Sequence, residues 1–139
     1  MRREFQFKPV ETDSGTIFRP LITVTVECAG KSRFVEFLVD SGADFSLLGA
    51  EFAAQLGMDL SEGRKREVRG VQGHKIVCVE KKVLLTVPGF GNPFESSVIV
   101  GHDLRPIHNL LGRDNFFHHY RVGFDQKERK LVLDDRNGR

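Results

Sequence analysis

The tetrapeptide Asp40-Ser41-Gly42-Ala43 places a carboxylate, a hydroxyl and a glycine directly after an apolar run, residues 34–39. Such a run is typical of a buried strand, and a carboxylate at its end is costly unless something partners it. Carboxylates of this kind are candidates for acid–base chemistry. The glycine allows a tight turn and lets another backbone come close. We predict that Asp40 is catalytic; the alternative is that it only caps a turn, which is the ordinary role of Asp before Gly.

A second segment, residues 110–114 (Leu-Leu-Gly-Arg-Asp), lies downstream of this loop. Its two apolar residues are followed by Gly112 and lead into a helical turn predicted over residues 114–120. A short motif indicates a function only when its surroundings also fit. The apolar strand before Asp40 and the glycine segment after it occur in the expected order. They make the motif at residues 40–43 a specific signal rather than a chance match.

Strands are predicted to position these residues. Residues 21–28 alternate between apolar side chains on one face and mostly polar ones on the other. Residues 29–31 form a hairpin turn, and residues 32–39 return and deliver Asp40.

The remaining pattern is also mostly β. Further strands are predicted at residues 5–7, 67–69, 74–79, 81–87, 94–100, 120–124 and 130–133. Short helices are predicted over residues 49–56 and 114–120, and polar turns or loops over residues 11–15 and 61–66.

Many short strands and few helices indicate an all-β fold that closes like a barrel. The length fits a single domain over residues 1–139. Residues 1–16 and 134–139 are expected to be peripheral or frayed.

The composition excludes several classes of protein. Twenty-one basic and 19 acidic residues give a net charge of +2, which is too small to indicate a nucleic-acid partner. No apolar stretch approaches the length of a membrane span, and no apolar region follows the basic residues near Met1. We therefore expect a cytoplasmic protein with no membrane partner.

Cysteine and histidine show no metal-binding pattern. Cys28 and Cys78 lie in predicted strands, which favours buried thiols, although one disulfide between them stays open. The five histidines show no spacing typical of zinc ligands, and His118 and His119 are adjacent, so they point to different sides of an element. We predict no metal site and no cofactor.

The order of these parts resembles the retropepsin-like aspartic proteases, the single-domain relatives of pepsin. The resemblance rests on residues 38–44, 69–75 and 109–114, and with the connecting strands it covers roughly residues 17–133. It implies the closed, barrel-like acid protease fold with one or two short helices.

The resemblance also implies an activity and a partner. In that family each subunit contributes one Asp-Thr/Ser-Gly loop, and hydrolysis needs two carboxylates that share one proton. This chain has one such motif, so a homodimer is implied, with the active site on its two-fold axis. The implied function is that of an aspartic endopeptidase, in which two Asp40 carboxylates activate a water that attacks a peptide bond in an extended peptide or protein substrate.

The family pattern assigns roles to the residues around Asp40. The Ser41 hydroxyl bonds across the dimer axis, and the backbone at Gly42 approaches the substrate. Two-lobed relatives often have a hydroxyl where this chain has Ala43, and its absence implies activity at milder acidity.

Further roles follow from the same comparison. Asp44 and Arg113 form an ion pair beside the active site, since arginine presents a planar fork to a carboxylate; alternatively, both are surface charges. Gly112 allows the strand Leu110-Leu111 to pass close to Asp40.

A flap that closes over the substrate is implied within residues 69–75, with Gly70, Val71, Gln72 and Gly73 as its binding residues. The alternative there is an ordinary surface hairpin. Apolar side pockets are expected from Phe45, Val71, Ile107 or Leu110.

Residues 5–7 and 131–133 are the candidate strands for dimerisation, although Phe5 and Phe7 could equally belong to the core of one chain.

Two other functions stay open. One is a catalytically weak or inactive module of the same fold for dimerisation or extended-peptide binding, because fold alone does not establish activity. The other is a nucleic-acid-associated accessory domain, which the near-neutral charge argues against.

Overall fold

The computed structural model describes residues 1–69 and 73–135. Within these ranges the chain is mostly β, with two short helices, which confirms that part of the predicted fold class. The elements are β1 (Arg2–Gln6), β2 (Lys8–Thr12), β3 (Gly15–Arg19), β4 (Leu21–Cys28), β5 (Lys31–Val39), α1 (Ala50–Gln55), β6 (Arg64–Arg69), β7 (Lys75–Thr86), β8 (Phe94–Val100), β9 (Asn109–Leu111), α2 (Phe116–His119), β10 (Tyr120–Asp125) and β11 (Lys130–Asp135). No helix in the described ranges is long and apolar enough to cross a membrane.

The largest sheet brings the two chemical segments together. Its strand order is β6-β7-β4-β5-β9, and β8 also pairs with β7. β4 and β5 are antiparallel, whereas β9 lies parallel to β5 and places Leu111 beside Val39. Because β5 and β9 run in the same direction, the residues that follow them, Asp40 and Gly112, lie at the same edge of the sheet.

β7 is a continuous strand of twelve residues, where we predicted two strands over residues 74–79 and 81–87. The charged residues at positions 80–82 interrupt the apolar pattern and suggested a break. The strand continues because its backbone is paired on both sides: Glu80, for example, lies between Arg64 of β6 and Ile99 of β8. For the same reason β6 begins at Arg64, inside the segment predicted as a loop.

The two ends of the chain form a separate three-stranded sheet in the order β1-β11-β10. Phe5 lies opposite Leu131 in this sheet, and the side chains of Phe7, Leu131 and Leu133 are buried in the main core. The strands that contain our candidates for dimerisation, residues 5–7 and 131–133, are therefore neighbours within one chain.

Residues 8–19 form a two-stranded hairpin, β2–β3, that we did not predict. Most of its residues are exposed or only half-buried, so its sequence lacks the alternation that reveals a strand. Its base is tied to the large sheet by the Lys8 ammonium, which donates to Thr23 Oγ1 at 3.3 Å and to Glu36 Oε2 at 3.1 Å.

Three expectations about the outline of the fold can be set against the strands of the structure. None of the sheets formed by residues 1–69 and 73–135 closes on itself, so the predicted closure into a barrel is not confirmed. Residues 1–16, expected to be peripheral or frayed, lie largely in β1, β2 and β3. Of the expected C-terminal tail, Asp134 and Asp135 still belong to β11, and residues 136–139 lie outside the described residues.

Both cysteines are free thiols, so the disulfide left open by the sequence is not formed. Cys78 is buried in the second, smaller apolar cluster beside Ile99 and Leu104. Burial raises the pKa of the Cys78 thiol, and the nearby Asp103 carboxylate adds to the effect. The thiol therefore stays protonated and unreactive near neutral pH.

An aromatic cluster packs α2 against β8 and β10. The His119 ring stacks on Phe94 with centroids 3.9 Å apart and an interplanar angle of 8°, and it meets the Tyr120 ring edge-on at 4.7 Å. Burial lowers the pKa of His119, and the Asp135 carboxylate opposes this only in part. The neutral imidazole is thus the form that fits the folded chain.

This pKa shift predicts a loss of stability in acid. As pH falls below the usual histidine value of about 6.5, the unfolded chain takes up a proton that the folded chain resists, so the free energy of unfolding decreases. We expect His119→Phe to keep the ring stacking and to reduce the stability difference between about pH 7.5 and about pH 5, measured by urea unfolding. His118→Phe, at the exposed neighbouring position, is the control; an equal reduction in both variants would contradict the prediction.

Candidate active site

Asp40 is held at the end of β5 by its own backbone. Its N–H donates to the Leu111 carbonyl at 3.0 Å, and the N–H of Val39 donates to the Pro20 carbonyl at 3.0 Å. The chain is therefore fixed from both sides at the point where the carboxylate begins. Asp40 itself is half-buried.

The turn after Asp40 orients its carboxylate. Oδ1 accepts a hydrogen bond from the Gly42 N–H at 2.8 Å, and the Ala43 N–H donates to the Asp40 carbonyl at 3.2 Å. Within residues 1–69 and 73–135 no group donates to Oδ2. The arrangement leaves one carboxylate oxygen engaged by the loop and the other available for chemistry.

Backbone hydrogen bonds join residues 110–114 to the loop between β5 and α1, residues 40–49, which we call the Asp40 loop. Leu47 and Leu110 exchange N–H···O bonds of 2.9 and 3.0 Å. Beyond Gly112, the Arg113 N–H donates to the Ala43 carbonyl at 2.8 Å. The two segments therefore form one rigid unit, although they are far apart in the sequence.

Gly112 lies where these two backbones touch. A β-carbon at this position would lie 2.6 Å from the Phe45 carbonyl carbon and 2.8 Å from the Ala43 carbonyl oxygen, closer than real contacts allow. Its N–H donates to Ser46 Oγ at 3.0 Å, and Ser46 is only 1% exposed. The family resemblance predicted a role for this glycine. The packing gives the physical reason, because a side chain has no room at this position.

Asp44 and Arg113 lie in contact, with the guanidinium donating to Asp44 Oδ1 at 2.6 Å. Their side chains are 68% and 63% exposed. An ion pair this exposed contributes little to stability, typically below about 1 kcal/mol. It gives the Asp44 carboxylate a positively charged partner from the segment that follows β9.

Two buried polar residues support the site and were given no role in the sequence analysis. One is Ser46. The other is Asn109, whose Oδ1 accepts from the Gly49 N–H at 2.7 Å and whose Nδ2 donates to the Glu36 carbonyl at 3.0 Å. Asn109 thus joins β9 to β5 and to the start of α1. For Ser46, its place between Phe45 and Leu47 in an apolar run is the signal that could have indicated it; Asn109, which follows His108, carries no such signal.

The remaining predicted site residues are placed as follows. Ser41 is exposed in the turn, and its contacts in an assembly stay a prediction. Of the predicted flap, Gly70, Val71 and Gln72 lie outside the described residues, while Gly73 is exposed with a positive φ of 76°. The flanking strands β6 and β7 pair from Arg64 opposite Glu80 to Arg69 opposite Lys75, so the arms of a hairpin are present.

Two cavities lie between the Asp40 loop and these hairpin arms. The Phe45 cavity, about 510 Å³, is lined by residues that include Ala43, Asp44, Phe45, Lys65, Arg66 and Ile99. The Leu38 cavity, about 460 Å³, is lined by residues that include Leu38, Arg69, Ile76, Asp103, Arg105 and Ile107. Leu47, Val68 and Leu110 line both.

Three of the expected pocket residues therefore line these cavities: Phe45 the first, Ile107 the second and Leu110 both. The fourth, Val71, lies outside the described residues. The cavities adjoin each other along the wall that they share. An extended chain that lay beside the Asp40 loop could place side chains in both of them.

The chain resembles known proteins both in sequence pattern and in fold. A family model described as aspartyl protease matches residues 22–114, more than half of the chain. A retropepsin-like aspartic protease from Rickettsia conorii superposes with a TM-score of 0.62 at 22% identity, covering 96% of this chain and 91% of that one. The retroviral protease-like domain of Ddi1 from Leishmania major superposes with a TM-score of 0.50 at 20% identity, covering 82% and 88%. These likenesses show the fold, which confirms the retropepsin-like resemblance; a search of curated protein sequences finds no match.

The close contact at Gly112 predicts that one added methyl group there will strongly lower the stability of the fold. We expect Gly112→Ala to lower the free energy of unfolding by about 1–3 kcal/mol, because the new β-carbon must push the two backbones apart. Urea unfolding measures the change. The control is Gly123→Ala in β10, where the nearest atom to a new β-carbon is 3.7 Å away. Similar values for the two variants would show that the close approach is not as tight as described.

Proposed function

The chain belongs to the aspartyl protease family, and we propose that it is an aspartic endopeptidase that hydrolyses peptide bonds as a homodimer. One observation carries the proposal: Asp40 is fixed at a sheet edge with one carboxylate oxygen held by the loop and the other oxygen unengaged by the described residues. If the carboxylate of Asp40 only capped the turn, the hydrogen bonds between its loop and residues 110–114 would not be needed.

The chemistry requires a second carboxylate close to the first. One carboxylate acts as the general base that draws a proton from water, and the other, protonated, acts as the acid toward the scissile carbonyl. Two carboxylates a few ångströms apart cannot both ionise easily, so they hold one proton between them.

A second copy of the chain supplies the second carboxylate in this proposal. The sequence contains one Asp-Ser-Gly motif, and a two-fold axis beside Asp40 would bring two copies of it together. The exposed Ser41 would then bond across the axis. Since β1 pairs with β11 of its own chain, the subunits would meet with these strands already formed.

The substrate would be an extended peptide segment. Its backbone would lie along the Asp40 loop, and its side chains would enter the Phe45 and Leu38 cavities. The arms β6 and β7 would lie over it, and the residues proposed as the flap, Gly70, Val71, Gln72 and Gly73, come between these two strands in the sequence.

We expect Asp40→Asn to lower kcat/KM for an unstructured peptide library at least about 100-fold, because it removes the acid–base group. The control is Asp13→Asn, an equal change at an exposed position in the turn between β2 and β3. Cleavage products are measured by mass spectrometry. Equal cleavage by the wild type and Asp40→Asn would sink the catalytic proposal and favour a module that binds extended peptides without cleaving them.

The dimer is tested by mixing subunits. When equal amounts of wild-type and Asp40→Asn chains are unfolded and refolded together, about half of the wild-type chains pair with a variant chain. If both Asp40 carboxylates are needed, the activity falls to about half of that of the same amount of wild type refolded with itself. Unchanged activity would mean that one chain acts alone, and a sedimentation mass of one chain would agree with that outcome.

A further inference from the structure

The arms of the hairpin beside the two cavities carry a larger positive charge than the chain has as a whole. β6 and the part of β7 that pairs with it contain five basic residues, Arg64, Lys65, Arg66, Arg69 and Lys75, against two acidic ones, Glu67 and Glu80. The whole chain has a net charge of only +2. The charge is therefore concentrated where a substrate would lie.

Most charges around the Phe45 cavity are already paired. Asp44 pairs with Arg113, and Arg66 donates to Glu80 Oε1 through Nε at 3.2 Å and Nη2 at 2.9 Å. Glu67 lies 3.7 Å from the Lys75 ammonium. Lys65 is the exception: it has no ion-pair partner within residues 1–69 and 73–135.

The wall of the Phe45 cavity is held in place before any ligand arrives. The Arg66 guanidinium lies over the Phe45 ring, 4.9 Å from its centroid, and Glu80 fixes its other side. Ile99 and Leu110 supply apolar surface in the same cavity. The cavity therefore combines apolar surface with a lining residue, Lys65, whose charge has no ion-pair partner among the described residues.

The Leu38 cavity also has more unpaired basic residues than unpaired acidic ones. Arg69 and Arg105 line it together with one acidic residue, Asp103, and none of the three has an ion-pair partner in the described part of the chain. Basic residues thus exceed acidic ones among the unpaired charges of both cavities. Leu38, Ile76 and Leu104 make the remaining surface strongly apolar.

We propose that the site selects extended segments in which apolar side chains are combined with an acidic one, and that Lys65 at the Phe45 cavity is the main determinant of the acidic preference. The inference rests on the proposed peptidase function and specifies its substrate class. A glutamate side chain fits both requirements, because its methylene groups suit the apolar part of the lining and its carboxylate suits the unpaired positive charge.

The test uses a series of peptides that share one apolar sequence and carry Glu, Gln or Lys at one position, moved along the peptide on both sides of the cleaved bond. We expect one position at which the wild type prefers Glu over Lys about threefold in kcat/KM, the size typical of an exposed charge pair. The preference should shrink at high salt, because the contact is exposed to solvent. Lys65→Glu should reverse it at the same position.

The matched control is Lys127→Glu, which makes the same change in net charge in the exposed turn between β10 and β11. It should leave the preference unchanged. Cleavage without any Glu preference, or an equal shift in both variants, would overturn the inference and leave the peptidase function intact. If no peptide is cleaved in a manner that depends on Asp40, the proposed function fails, and the substrate class fails with it.

Discussion

The close approach of two backbone segments at Gly112 is the constraint on which the site depends. The Asp40 loop and residues 110–114 are joined by backbone hydrogen bonds on both sides of this glycine. Phe45 and Ala43 occupy the space where a side chain would be. Because the contact is between backbones, it fixes the position of Asp40 without relying on flexible side chains.

The buried and the exposed polar groups of the site contribute differently to its stability. Ser46 and Asn109 are buried, and each provides a hydrogen bond to a backbone N–H that would otherwise be costly to leave unpaired. The Asp44–Arg113 pair is exposed and contributes little to stability, but it links the two segments through their side chains. The buried amide and hydroxyl therefore stabilise the backbone around the site more than the exposed ion pair does.

Several parts of the fold followed from local pattern, and others did not. The alternation in residues 21–28 gave β4, and the turn at Ala29-Gly30, where both φ angles are positive, gave the hairpin that ends at Asp40. The hairpin over residues 8–19 was missed because exposure on both faces leaves no alternation to detect. The barrel closure expected from the family resemblance is not seen in the sheets of the described residues.

The sequence by itself determined that a carboxylate followed by a hydroxyl and a glycine ends a buried strand, and that an apolar-glycine segment follows later. Those features are local, so the order of residues is enough to reveal them. Only the tertiary structure decided that Gly112 touches the Asp40 loop, that Ser46 and Asn109 satisfy the backbone there, and that Lys65 is left unpaired beside a cavity. These facts depend on which distant strands lie side by side, and that is set by packing of the whole chain rather than by any short stretch of it.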